Sequence, residues 1–158
     1  MRHITLLIAL SFGALIAFGV LLASAEWRPQ QQDALSINRV YAYRSWQSTG
    51  IQLDKGDKYT IRAEGQWMYS PFAGPNGPEG HRRFRAPDFY PLPGVAGGAL
   101  IGRVGEEDGP FYVGKGTSGY AQRNGLLYLR IDDDLLGDNS GYLTLNVQVI
   151  RPTPTPRH

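Results

Sequence analysis

The sequence contains no cysteine and only three histidines. Without thiols the chain forms no disulfide framework, offers no catalytic cysteine and has no site for lipid attachment at an N-terminal cysteine. His3 belongs to an apolar leader-like segment and His158 is the last residue of the sequence, which leaves His81 alone between them. With no cysteine, a zinc site needs more histidine than this, and no serine has a plausible histidine and acid partner for a catalytic triad. The sequence therefore predicts that the protein is not an enzyme.

The chain also lacks a strong charge of either sign, an amphipathic helix of useful length and an internal repeat. Its formal net charge is +2, which is too weak and too evenly spread to indicate a nucleic-acid partner. Instead the composition is rich in glycine (20), proline (11) and tyrosine (9), as is typical of turn-rich β proteins. Short strand-like segments separated by Gly/Pro turns predict an all-β fold, an antiparallel β-sandwich.

The N-terminal segment has the three parts of a secretory signal peptide. Met1–His3 is basic, Ile4–Leu22 is uncharged and apolar or small, and Ala23–Ala25 supplies the small residues read by a signal peptidase. The apolar run is also long enough to span a bilayer, so an uncleaved membrane anchor is the alternative. Either interpretation of residues 1–25 places the rest of the chain beyond the membrane, secreted or periplasmic.

The remaining residues divide into a polar lead-in (26–35), a β-sandwich domain (36–150) and a proline-rich tail (151–158). Within the domain, alternating segments around a turn at Asp54–Asp57 predict a hairpin. Tyr69–Gly98 is rich in proline, which cannot donate to a ladder, and predicts a long ordered surface loop without strands. The other strand-like segments are Ser36–Tyr43, Ala99–Val104, Phe111–Val113, Leu126–Ile131 and Tyr142–Ile150, with a turn at Gly114–Gly119.

An acidic segment between the last two predicted strands carries the chemistry. Four carboxylates and one amide fall between Asp132 and Asn139. Because such close carboxylates repel one another, a folded loop must direct them into water or gather them around a cation. Oxygen ligands and flanking glycines suit Ca²⁺, although the spacing is not that of an EF-hand. On residue types alone, a calcium site and a solvated acidic turn both stay open.

Three stretches resemble the galactophilic (PA-I-type) lectin-like family. They are LYLRIDDDLLGDNSGYLTLNV, GALIGRVG and IQLDKGDKYTIRAEGQW, and the most specific part is the GDNSG run of residues 137–141. The resemblance extends from Ser36 to Val149. It implies a β-sandwich of the jelly-roll, galactose-binding-like type that holds one Ca²⁺, and this ion in turn coordinates two vicinal hydroxyls of a sugar.

Carried over by position, the resemblance implies side-chain and backbone ligands for the ion. The strand-end carboxylate falls on Asp133, with Asp132 or Asp134 as alternatives because the loop is one residue shorter here. The further metal ligands it implies are the side chains of Asp138 and Asn139 and the backbone carbonyls of Leu135 and Tyr69. Asp133 and Asp138 thereby also belong to the expected sugar-binding site.

The family's histidine and glutamine contacts to galactose are not matched in the long loop. Asp88 and Tyr90 are the residues expected to replace them, since a carboxylate accepts from two hydroxyls and an aromatic face covers a sugar's C–H side. The expected partner is a carbohydrate, galactose-like by resemblance, bound weakly enough that a homo-oligomer or multiple ligands would supply avidity. The alternative is a non-catalytic structural or protein-interaction sandwich of the cell envelope, whose acidic loop is only stiffened by a cation.

Overall fold

The computed structural model describes residues 37–152, so the predicted signal peptide, the lead-in and most of the proline-rich tail lie outside the described residues. Within this range no helix is long and apolar enough to cross a membrane. The strands of the described part are β1 (Arg39–Tyr41), β2 (Gln47–Leu53), β3 (Lys58–Ser70), β4 (Gly74–Asn76), β5 (Leu100–Val104), β6 (Phe111–Tyr112), β7 (Gly116–Tyr120), β8 (Gly125–Ile131) and β9 (Ser140–Ile150), with a short 3-10 helix at Leu136–Asp138.

Two antiparallel sheets form the fold. One sheet has the order β1-β9-β3-β4, with β7 also paired to β3, and the other has the order β2-β8-β5-β6. The longest pairing joins β3 to β9, from Lys58 opposite Ile150 to Met68 opposite Ser140. This architecture confirms the predicted antiparallel β-sandwich.

Alternating apolar side chains of β3 and β9 form one half of the core, as their sequence pattern predicts. The buried side chains of these two strands are Tyr59, Ile61, Ala63, Trp67, Tyr69, Leu143, Leu145, Val147 and Val149. From the other sheet, β8 contributes Leu127, Leu129 and Ile131, each fully buried. Each large aliphatic side chain removed from water stabilises the fold by about 1.5–3 kcal/mol before entropy is counted, so the two facing sheets hold the loops at their ends in place.

The predicted hairpin of β2 and β3 is wrong. β2 pairs with β8 in one sheet, whereas β3 pairs with β9 in the other. The turn between them is a corner from sheet to sheet, where the Asp57 carboxylate accepts from the Asp54 amide at 2.9 Å and the Gly56 amide donates to the Ala121 carbonyl at 2.8 Å. Alternation along a strand reports which face is buried, and it does not report which strand lies beside it.

The long loop contains more pairing than its prolines predict. β3 continues to Ser70, and β4 pairs back onto it with Pro75 opposite Met68. Proline is tolerated there because β4 is the last strand of its sheet and no ladder partner on its outer side requires an N–H. Likewise, the turn predicted at Gly114–Gly119 is largely β7, which pairs with β3.

The rest of the long loop folds back on itself and is tied to the core at Gly98. The Ala86 amide donates to the Val95 carbonyl at 2.8 Å. At the end of the loop, the Gly98 carbonyl accepts from the Trp67 indole at 2.9 Å and from the Asn76 side chain at 3.0 Å. Gly98 has a φ of +74°, and a Cβ placed on it would lie 2.7 Å from Cγ of Tyr69. Only glycine fits this close crossing.

Replacement of Gly98 by alanine should therefore destabilise the fold. We expect Gly98→Ala to lower the free energy of unfolding by about 2 kcal/mol or more, because it combines backbone strain with a steric clash. Gly109→Ala is the matched control, since Gly109 has no positive φ and no atom within 4 Å of the added Cβ. Urea denaturation of both variants checks this, and equal losses would contradict the account of the crossing.

Candidate functional site

A pocket of about 250 Å³ lies between the long loop and the β8–β9 loop. We call it the acidic–aromatic pocket because carboxylates and aromatic rings make up most of its lining. The residues that line it are Tyr69, Ser70, Phe72, Ala73, Phe84, Tyr90, Asp133, Asp134, Leu135 and Asp138. The structure thus brings together five residues that the sequence analysis placed in the site: Tyr69, Tyr90, Asp133, Leu135 and Asp138.

Asp133 is the most enclosed carboxylate of this pocket. Its side chain is only 2 % exposed. One carboxylate oxygen accepts from the Asn139 side-chain amide at 2.8 Å, and the other accepts from the Leu135 backbone amide at 3.3 Å. Burial raises the pKa of Asp133 above its usual value, because removing water disfavours the charged form. The loop therefore holds a carboxylate in a place where its charge is under-compensated.

Asn139 presents an oxygen that has no protein partner. Its side-chain nitrogen donates to Asp133 and also to the Ala42 carbonyl at 3.3 Å, which orients the amide. The carbonyl oxygen of the same amide is buried without a hydrogen-bond partner among the described residues, and so is Oδ1 of Asp138. Buried oxygens in this state are uncommon in native proteins and call for a bound water, ion or ligand.

The acidic side chains alone do not form a metal-binding set. Within residues 37–152 no group of three histidine, cysteine, aspartate or glutamate side chains is arranged to hold an ion. A cation in this pocket would therefore depend on the amide oxygen of Asn139 and on backbone carbonyls as well as on Asp133 and Asp138. Such a mixed oxygen set is normal for calcium.

The two alternative carboxylates at the end of β8 have separate environments. Asp132 is fully buried outside the pocket lining, and one of its oxygens accepts from the Leu92 amide at 2.9 Å, while the other has no partner among the described residues. Burial raises the pKa of Asp132 to about 6. Its role is to join the β8–β9 loop to the long loop. Asp134 is exposed and does line the pocket.

Arg130 fixes the backbone of the acidic loop, and the sequence analysis missed it. The side chain is 8 % exposed, its Nε donates to the Ile131 carbonyl at 2.9 Å, and an Nη2 hydrogen reaches the Asp133 carbonyl. Burial lowers the pKa of this guanidinium, which the nearby carboxylates partly restore. The signal in the sequence was an arginine within an otherwise apolar strand, two residues before three aspartates.

The same arginine stacks with Trp46, which the structure leaves half-buried at the surface of the β2–β8 sheet. The Arg130 guanidinium carbon lies 5.5 Å from the Trp46 ring centroid, and that of Arg103 lies at 4.5 Å. Of these two arginines, only Arg130 bonds to the acidic loop. Substituting Arg130 and Arg103 in turn therefore separates the contribution of stacking on Trp46 from that of the hydrogen bonds to the acidic loop.

Aromatic side chains from the long loop and β3 complete the pocket. The Tyr69 and Tyr90 hydroxyls are 2.7 Å apart and the two rings meet edge to face. Burial raises the pKa of Tyr90, and the neighbouring Tyr69 and Asp133 raise it further. Phe72 is fully exposed and Phe84 is half exposed, although both line the pocket. Sequence reasoning did not assign either phenylalanine to the site.

The structure does not bring Asp88 into this group. Its side chain is exposed on the long loop, outside the set of described residues that line the acidic–aromatic pocket. Because the chain between Pro87 and Tyr90 forms a turn, closed by the Tyr90 amide donating to the Pro87 carbonyl at 3.0 Å, Tyr90 reaches the pocket while Asp88 does not.

A larger groove of about 370 Å³ lies beside β3. Among its lining residues, Lys115 Nζ and Glu79 Oε1 form an ion pair at 3.2 Å, so opposite charges are paired in the groove, although Glu79 Oε2 has no hydrogen-bond partner among the described residues. Size alone does not indicate a binding site. We favour the smaller pocket because three carboxylates and no basic residue appear among the described residues that line it, whereas acidic and basic residues both line the groove.

No protein-family model matches the sequence, and no curated protein matches it. Among solved structures, the chain is similar to one described as "EclA N-terminal domain; PllA-like lectin", with 23% sequence identity, a TM-score of 0.56, and coverage of 70% of this chain and 92% of that chain. At this identity the likeness shows the fold alone, and it agrees at that level with the resemblance to lectin-like proteins.

Loss of Arg130 should destabilise the protein more than loss of its stacking neighbour. We expect Arg130→Met to lower the free energy of unfolding by about 3 kcal/mol, because two buried carbonyls lose a charged donor and the carboxylates lose a counter-charge. Arg103→Met, which removes a stacked guanidinium without touching the loop, should cost about 1 kcal/mol or less. Chemical denaturation gives both values, and similar losses would contradict the loop-holding role of Arg130.

Proposed function

We propose that this chain is a calcium-dependent carbohydrate-binding module that works outside the cytoplasm. The observation that carries the proposal is the pair of unpartnered oxygens on Asp138 and Asn139 beside the buried Asp133 carboxylate. A divalent cation among these oxygens would satisfy them and relieve the repulsion between the carboxylates.

The residues present fit calcium in number and in kind. Ca²⁺ takes about six to eight oxygen ligands, which proteins supply from carboxylates, amides and backbone carbonyls. Asp133, Asp138 and Asn139 would hold the ion with side-chain oxygens, and Leu135 and Tyr69 would do so with backbone carbonyls. The resemblance implies an amide ligand at position 138, and the aspartate present here adds negative charge, which strengthens the attraction for a cation. The bound ion would supply coordination positions for two sugar hydroxyls.

The aromatic residues of the pocket suit the other side of a sugar. A pyranose ring has an apolar C–H face, and tyrosine and phenylalanine rings cover such faces while a hydroxyl supplies a hydrogen bond. Tyr90 and Phe84 line the same pocket as the carboxylates, so one sugar ring could contact both. Asp88 is left out of these contacts because it lies outside the pocket.

Carbohydrate as the ligand class is supported by the comparison, since the similar solved structure is described as a lectin domain. Galactose as the specific sugar has less support, because the family's histidine and glutamine contacts are unmatched. Export to the periplasm or the exterior rests on the N-terminal segment of residues 1–25. The competing function is a structural or protein-interaction module in which the cation only stiffens the loop, and the same unmatched sugar contacts favour it.

Calcium should stabilise the fold. At a concentration 100-fold above its dissociation constant, a ligand that binds only the folded state adds about 2.7 kcal/mol, so we expect a higher melting temperature in calcium than in EGTA. Asp138→Ala and Asn139→Ala should abolish the difference. Glu107→Gln, which removes an exposed charge from the β5–β6 turn, should preserve it. An identical melting temperature of the unaltered protein under both conditions would exclude the cation site.

Sugar binding should require the same residues as calcium binding. On a glycan array run with calcium, we expect binding by the unaltered protein that is lost in EGTA and in the Asp133→Ala, Asp138→Ala double variant. An array without any signal, together with a calcium-dependent melting temperature, would instead support the structural module with a stiffened loop.

A further inference from the structure

We infer that the acidic–aromatic pocket prefers sugars that carry a positively charged amino group. This inference rests on the proposed function, since it specifies the class of sugar that the same pocket would bind. It derives from the balance of charge in the pocket and from the exposed rings beside the carboxylates.

The pocket carries more negative charge than one calcium ion neutralises. Three carboxylates line it, those of Asp133, Asp134 and Asp138. A divalent cation offsets two of these charges and leaves one. Asp134 is the carboxylate best placed to meet a ligand, because it is exposed and accepts no hydrogen bond from the described residues that would occupy it.

No basic residue appears among the described residues that line the pocket. The arginines nearby do not line it. Arg85 donates to the Gly94 carbonyl and Arg82 acts electrostatically on Glu79. Arg130 lies behind the Asp133 carbonyl, and its largest charge interaction is with Asp132, outside the pocket lining.

A second feature indicates a missing ligand next to Asp133, which lines this pocket. Asn139 is 6 % exposed, it bonds to the pocket-lining Asp133, and its carbonyl oxygen has no partner among the described residues. A folded chain rarely leaves such an oxygen unsatisfied unless something else contacts it. Asp138, which does line the pocket, likewise has a buried oxygen without a partner among the described residues, so the polar site is incomplete at the pocket itself.

The exposed rings favour a cationic ligand over a neutral one. Phe72 is fully exposed at the pocket and Phe84 is half exposed. The face of an aromatic ring attracts an ammonium group held within about 6 Å. A neutral sugar gains from these rings only by contact with its C–H groups. An amino sugar gains in addition the attraction of its ammonium group to the ring faces and to the Asp134 carboxylate.

Four sugars with the same ring configuration test this preference: the methyl glycosides of galactosamine, galactose, N-acetylgalactosamine and galacturonic acid, titrated with calcium in a calorimeter. The corresponding four methyl glycosides of the glucose series extend the test to the other common ring configuration. We expect the free amine to bind about tenfold more tightly than the neutral sugar, through one ion pair and ring contacts. The advantage should shrink as salt is added, because Asp134 is exposed to solvent.

Paired variants assign the preference to particular side chains. Asp134→Asn should bring the ratio of amine to neutral affinity close to one, whereas Glu107→Gln removes the same charge from a distant turn and should keep the ratio. Phe72→Ala should reduce the ratio, whereas Tyr120→Ala removes an exposed ring from β7 and should not. Thermal melts confirm that each variant is folded.

The outcomes separate this inference from the proposed function. Equal affinity for the amine and the neutral sugar would overturn the inference and leave calcium-dependent sugar binding in place. Tighter binding of galacturonic acid would also overturn it, and would assign selectivity to the arginines of the long loop, Arg82 and Arg85. Absence of binding by all glycosides in calcium would contradict the proposed function and this inference together.

Discussion

The structure near the pocket depends on one electrostatic constraint: carboxylates at the end of β8 must share a small, partly buried space. Three protein interactions manage it. Arg130 supplies a buried positive charge and holds the loop carbonyls, Asn139 donates to Asp133, and the Leu92 amide donates to Asp132. These interactions position the carboxylate oxygens of Asp132 and Asp133 but do not fully offset the loss of water around them. The net effect is that burial raises the pKa of both aspartates. A bound cation would complete the compensation.

The two-sheet sandwich makes this arrangement possible because it fixes the loops that meet at the pocket. The pairing of β3 with β9 fixes the position of Tyr69 relative to the first residues of β9. The end of β8 fixes the position of Asp132, the first aspartate of the loop. The long loop is held at Gly98 by Trp67 and Asn76, so Tyr90 and Phe84 are presented by an ordered segment. Binding groups on loops with a rigid scaffold need little reordering when a ligand arrives.

Much of the fold could be predicted from the sequence, because alternation in β3 and β9 directly reflects burial on one face. The acidic loop could also be located, since its residue types are unusual between two strands. The pairing of strands could not be predicted: a corner and a hairpin turn use the same Asp and Gly residues, as the turn before β3 shows. The contribution of Phe72 could not be predicted, because it depends on which loop lies beside it. Arg130 is conspicuous in the sequence as an arginine in an apolar strand, but which carbonyls it contacts could not be predicted. For the same reason, Asp88 and Tyr90 were indistinguishable in sequence, although only Tyr90 reaches the pocket.

The central claim is that a divalent cation sits among the oxygens of the β8–β9 loop. A crystal structure determined from calcium-containing solution, with anomalous differences measured to identify the metal, addresses it most directly. The account predicts one anomalous peak with oxygen ligands from Asp133, Asp138 and Asn139 at about 2.3–2.6 Å. Ordered water hydrogen-bonded to the Asn139 carbonyl, with Asp133 and Asp138 directed apart and no anomalous peak between them, would contradict it.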